Sequence, residues 1–76
     1  MSRRKKKGVD LGVIGSRIRQ LRGHGLQEEL ASYLNVSQGH LSKIESGRIA
    51  PSIAILVLLA ERYHKSVDWI LRGEGS

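Results

Sequence analysis

A chain of 76 residues holds one domain with one modest core. With no cysteine there is neither a disulfide framework nor a thiolate metal site, which fits a reducing, cytoplasmic setting. Thirteen Lys and Arg against seven Asp and Glu give a net charge of +6, which invites a polyanionic partner.

The charge is concentrated at one end. Five of the thirteen cations form the unbroken run Arg3, Arg4, Lys5, Lys6 and Lys7, so the rest of the chain is nearly neutral. Residues 1–10 carry few apolar side chains and read as a flexible basic arm ahead of a domain at 11–76. No apolar stretch follows the arm as a signal peptide would require. The longest apolar run, Ile53 to Ala60, is far too short to span a bilayer.

From Leu11 the pattern is helical. Leu11, Ile14, Ile18 and Leu21 recur at steps of three and four, and Gly23 and Gly25 end the segment. A second helix is predicted from about Leu26 to Leu34, burying Leu26, Leu30, Ala31 and Leu34. Asn35 and Val36 break it, and Ser37 is a good N-cap for a third helix carrying Leu41 and Ile44. Gly47 closes that helix. Pro51 prevents its resumption, Ser52 caps a fourth over Ile53 to Tyr63, and Ser66 caps a short fifth over Val67 to Arg72. No segment alternates with period two, so the expected class is all-α.

The informative stretch runs from Gln27 to Ser46. Ala31 is a small residue where a larger one would hold the next helix away. Asn35 stands where the turn needs a positive φ, and Val36, Leu41 and Ile44 supply apolar contacts between the two helices. These residues at these spacings predict a helix-turn-helix formed by helices 2 and 3, which projects helix 3 as a rod able to enter a major groove roughly 12 Å wide.

The strings IGSRIRQLR (14–22), QEELASYLNVS (27–37), HLSKIESGRIAPS (40–52) and SVDWILRGEG (66–75) resemble the phage-lambda-repressor-like domains, the Cro or xenobiotic-response-element type of transcriptional regulator. The resemblance covers residues 11–75. It implies a compact five-helix domain whose third helix reads double-stranded operator DNA, usually as a dimer on a two-fold site. Carried over by position, it implies base reading by Ser37, Gln38, Gly39 and Lys43, and phosphate contacts by Gln27, Ser46 and Arg48. It also implies an internal salt bridge between Arg22 and Glu45. An amide such as Gln38 can pair with adenine N6 and N7, and Lys43 can donate to guanine O6 or N7. His40, three residues before Lys43, is either an exposed bystander or a further DNA contact.

Two positions depart from the family pattern. Gly39 stands where many relatives carry a long polar side chain, so either one base contact is missing or the backbone approaches DNA more closely. Leu26 stands where relatives place a Ser, Thr or Asn cap, and the connection before it is about two residues shorter; without the cap helix 2 loses on the order of 1 kcal/mol.

The remaining motifs have structural readings. Tyr63 and Trp69 read as core or lid residues, and three aromatics do not make a stacking surface for single strands. His24, His40 and His64 fit no metal-ligand spacing, so neither metal nor cofactor is expected. No convergent carboxylate pair, Ser–His arrangement or phosphate loop points to an enzyme. In this fold an N-terminal arm lies near the duplex, and the basic run is expected to make non-specific phosphate or groove contacts.

Helix 4 is apolar all round. The resemblance assigns Ile53, Leu56, Leu59, Ala60 and Tyr63 to the core, leaving Ile55 and Leu58 to seal a homodimer, with Ile49 or Val67 beside them. The expected function is a sequence-specific repressor or autoregulator. The alternatives are an antitoxin-type interaction module using the helix 4 face, or a restriction-modification controller protein.

Overall fold

The computed structural model describes residues 9–75. The basic run Arg3, Arg4, Lys5, Lys6 and Lys7 lies outside the described residues. Five helices follow one another: α1 (Leu11–Arg22), α2 (Gln27–Leu34), α3 (Gln38–Glu45), α4 (Ile53–Tyr63) and α5 (Val67–Arg72). No strand occurs among the described residues, and no helix there is long and apolar enough to cross a membrane.

The helix starts are chemical. Ser37 Oγ accepts from the His40 amide at 3.0 Å, Ser52 Oγ from Ile55 at 3.1 Å, and Ser66 Oγ from Trp69 at 2.9 Å. Asp10, counted with the arm on sequence grounds, does the same for α1: its carboxylate accepts from the amides of Gly12 and Val13. The first helix is thus anchored one residue ahead of its apolar stripe. Only α2 lacks a side-chain cap, because Leu26 has nothing to offer. Leu26 is exposed rather than buried as expected, since its backbone is extended and its side chain precedes the helix. Glu28 and Glu29 in the first turn of α2 favour the positive end of the helix dipole and partly offset the missing cap.

The helix ends use left-handed residues. Asn35 adopts φ 62° and ψ 42°, and the Val36 amide reaches back to the Ala31 carbonyl at 3.0 Å. That closure sets the short turn between α2 and α3. His64 does the same job at the end of α4 with φ 55°, histidine being, like Asn, enriched among the non-glycine residues of this region. Gly47, at φ 80°, closes α3, and its own lack of a side chain matters twice: a Cβ there would come within 2.8 Å of Gly12 Cα.

One core joins the helices. Ile14 and Ile18 of α1 meet Leu30, Ala31 and Leu34 of α2, Leu41 and Ile44 of α3, Ile55, Leu56 and Leu59 of α4, and Ile70 of α5. α1 packs against α3 and α5, α2 against α3 and α4, and α4 against α5. Arg17 fastens α1 to the end of α5 by donating to the Ile70 carbonyl at 3.1 Å, a cation placed at a helix C-terminus.

The face of α4 differs from expectation. Ile55 is buried, with 5% of its surface exposed, whereas Ile53 is 79% exposed and Val57 43%. Leu58 is half-buried. Ile55 therefore belongs to the core of its own chain and cannot seal a dimer. The reason is helical geometry: Ile55, Leu56 and Leu59 share the inward stripe, while Ile53, at the first position of the helix, falls on the opposite side with Ala54 and Val57.

Candidate nucleic-acid interface

α3 is held from behind and open in front. Leu41 and Ile44 are fully buried against the core, and Glu45 is buried beside them. Ser37, Gln38, Gly39, His40, Ser42 and Lys43 are exposed. Ser46 and Arg48, just past the helix, are accessible as well. Every acidic group is missing from this accessible set, because the one carboxylate of α3 is turned inward. The surface that results is polar to basic, carries amide, hydroxyl, imidazole and ammonium groups, and follows a rod narrow enough for a groove.

The turned-in carboxylate organises what lies around it. Arg22 grips Glu45 in bidentate fashion, Nε to Oε2 at 2.7 Å and Nη2 to Oε1 at 2.9 Å. The hydrogen bonds to Glu45 hold the Arg22 guanidinium above its ordinary pKa, so it stays charged across the accessible pH range. Its remaining nitrogen, Nη1, donates to the Gly25 carbonyl at 2.7 Å and ties down the short connection before α2. Arg22 thus compensates for the missing cap by fixing the chain that enters α2.

Gln27 stands at the start of α2, half-buried, between this ion pair and α3. Its Nε2 donates to Glu45 Oε1 at 3.0 Å, and its Oε1 accepts from Gln38 Nε2 at 3.3 Å. Gln27, expected as a phosphate contact, is therefore also the link between the buried pair and Gln38. Arg19, Gln27, Ser42, Glu45 and Ser46 line a shallow concavity on this side of the molecule. Arg19 and Ser42 do not stand out in the sequence as members of this surface. For Arg19 the signal lies in its position one turn before Arg22, which carries it to the same side of α1.

The aromatic residues lie elsewhere. Arg62 sits over the Tyr33 ring at 4.7 Å and over Tyr63 at 5.7 Å, and Lys65 over Trp69 at 4.8 Å. These rings serve as platforms for the chain's own cations.

The helix-turn-helix family profile matches residues 17–70. The chain is similar to the P22 c2 repressor, solved in complex with a synthetic operator: 28% identity over 82% of this chain and 97% of that one, with a TM-score of 0.75. It is similar to the restriction-modification controller protein C.AhdI from Aeromonas hydrophila (28% identity, 82% and 97% coverage, TM-score 0.69). It is also similar to the N-terminal DNA-binding domain of SinR from Bacillus subtilis (32% identity, 78% and 90% coverage, TM-score 0.67). A comparison with curated protein sequences finds no match. The profile runs from the second half of α1 into α5 and these domains are similar over nearly their whole length: the chain belongs to the helix-turn-helix family and is a lambda-repressor-like domain.

Proposed function

We propose that this chain is a sequence-specific DNA-binding transcriptional regulator, a repressor or autoregulator acting in the cytoplasm, and that α3 reads an operator from the major groove. The observation that carries this reading is the two-sided α3, apolar and buried behind, polar with no exposed carboxylate in front. Gln38 and Lys43 are its base readers, with Ser37 and Gly39 close to the base edges and His40 beside them. Gln27, Ser46 and Arg48 flank them as phosphate contacts, which position the helix without carrying sequence information. Gln38→Ala and Lys43→Ala should each cost about 1–3 kcal/mol and relax preference at one position per half-site. Binding assays across a base-substituted duplex series check this; an equal loss on every sequence would remove both residues from base reading.

The basic run Arg3 to Lys7 adds phosphate contacts without sequence preference. Deleting residues 1–7 should flatten the dependence of log affinity on log salt, by about 0.9 for each phosphate that the arm neutralises. An unchanged slope would make the arm a bystander.

A homodimer on a two-fold site is part of the proposal. With Ile55 in the core, its apolar surface moves to Ile53 and Val57, one turn apart on the exposed side of α4, with Leu58 at the edge. Ile53→Glu should give monomers in sedimentation and weaken operator binding; dimers that persist would rule this face out. The similarity to a restriction-modification controller protein supports a variant of this reading in which the regulated genes differ and the DNA mechanism does not.

A further inference from the structure

We propose that Gly39 seats the C5 methyl group of a pyrimidine, so that α3 reads that methyl, on thymine and on 5-methylcytosine alike, at one base pair of each half-site. The inference rests on the reading of α3 as a major-groove reader and adds to it a position that recognises by shape alone.

Nothing inside the molecule asks for a glycine at position 39. Gly15 and Gly47 are held to glycine by their surroundings, since a Cβ at either would fall within 2.8 Å of backbone atoms. Beyond its chain neighbours, a Cβ at Gly39 meets nothing nearer than Ser37 Oγ at 3.9 Å, and its backbone is not left-handed. Glycine weakens a helix, so stability is given up here with no gain in packing. A local rule broken without an internal reason points to what the position meets from outside.

Leu41 and Ile44 face the core, and Gly39 and Lys43, two residues to either side of Leu41, each lie about 160° round the helix from it. These two form the outermost line of α3, the line that reaches deepest into a groove, and both are exposed. Lys43 stands one turn beyond Gly39 on that line. Its aliphatic stem walls the gap while its ammonium reaches past it. Ser37 Oγ is held by its 3.0 Å bond to the His40 amide and does not fill the gap. The result is a notch with an apolar floor and no hydrogen-bonding side chain of its own.

The apolar projection of a base pair into the major groove is the methyl at pyrimidine C5. A notch left by one missing side chain takes a methyl. Gly39 brings no side-chain donor or acceptor, so thymine and 5-methylcytosine are equivalent to it, whereas uracil and cytosine leave the notch empty.

The test uses the full chain and the duplex it enriches from a random pool. At each thymine, affinity is measured with thymine against uracil, and with 5-methylcytosine against cytosine, both paired with guanine. Each comparison changes the methyl and nothing else, and neither ratio is moved by a general loss of affinity. At one position per half-site both ratios should favour the methyl, by about fourfold for each methyl seated. Gly39→Leu fills the notch and should bring both ratios close to one; Gly39→Gln serves as a second variant, and both residues are good helix formers. Ratios that persist in both variants would place the methyl elsewhere and overturn the proposal. If Gln38→Ala and Lys43→Ala relax their own positions while no uracil replacement changes affinity, the notch is wrong and the base reading survives. If no substitution in the chain or the duplex changes any preference, the base reading fails and the inference goes with it.

Discussion

Arg22→Ala is expected to cost about 3–5 kcal/mol, because it leaves the Glu45 carboxylate buried with only the Gln27 amide as partner. A domain of this size has a total stability on the order of 4–11 kcal/mol, so much of it would be lost. At roughly 4–8 °C per kcal/mol the melting temperature should fall by more than about 12 °C. The same substitution frees the Gly25 carbonyl and loosens the connection that enters α2. The double variant Arg22→Met with Glu45→Leu separates the pair's own contribution from the penalty of a stranded charge. Replacing both partners by apolar groups is often neutral or stabilising, so the double variant should melt well above the single one. Circular dichroism melts decide the matter. A single variant that melts within about 2 °C of the parent would mean that Glu45 finds water or another partner when Arg22 is absent.

The second large effect is expected at Gly15. This residue lies in α1 where α1 crosses α3, and a Cβ there would fall 2.8 Å from the Glu45 carbonyl carbon and nearer still to the Ile44 and Glu45 carbonyl oxygens. Ordinary carbon contacts lie at about 3.5–4.0 Å, so Gly15→Ala forces α3 away from α1 by roughly 1 Å. Overpacking of this kind costs about 1–3 kcal/mol, against about 1 kcal/mol gained from the better helix former. Stability therefore falls modestly. Operator recognition should fall further, since the whole of α3 moves relative to the groups that position it. The ratio of specific to non-specific affinity is expected to drop at least about tenfold. Gly39→Ala is the control for stability: its Cβ would meet nothing nearer than Ser37 Oγ at 3.9 Å, so it should raise the melting temperature. If Gly15→Ala melts higher and binds the operator as the parent does, the close crossing is not what positions α3.

The helical architecture is legible in the sequence because each boundary has local chemistry. Ser37, Ser52 and Ser66 cap, Asn35 turns left-handed, and the apolar steps of three and four assign α1. Asp10 is legible too, as a short polar acceptor just ahead of Leu11, but the neighbouring run of cations masks it as part of the arm. The inward side of α4 is not legible. From Ile53 to Ala60 every residue is apolar, so periodicity has no phase, and positional analogy with relatives inverts Ile53 and Ile55. The left-handed His64 carries a weak signal, since histidine is enriched among non-glycine residues with positive φ but far more often stands elsewhere. The candidate site shows the same division. The exposed positions of α3 follow from its helical phase once Leu41 and Ile44 are placed inside. The chain of bonds from Arg22 through Glu45 and Gln27 to Gln38 joins three helices, and no spacing along one helix encodes it.

The proposed recognition stands on the exposed side of α3 meeting base edges in the major groove. Dimethyl sulfate tests this directly, because it methylates guanine N7 in that groove, and the duplex enriched by the purified chain is the substrate. Protection of N7 is expected in two clusters centred roughly 34 Å apart, one turn of duplex, and it should weaken in Lys43→Ala. Full occupancy of the duplex with N7 reactivity unchanged would contradict a major-groove reader.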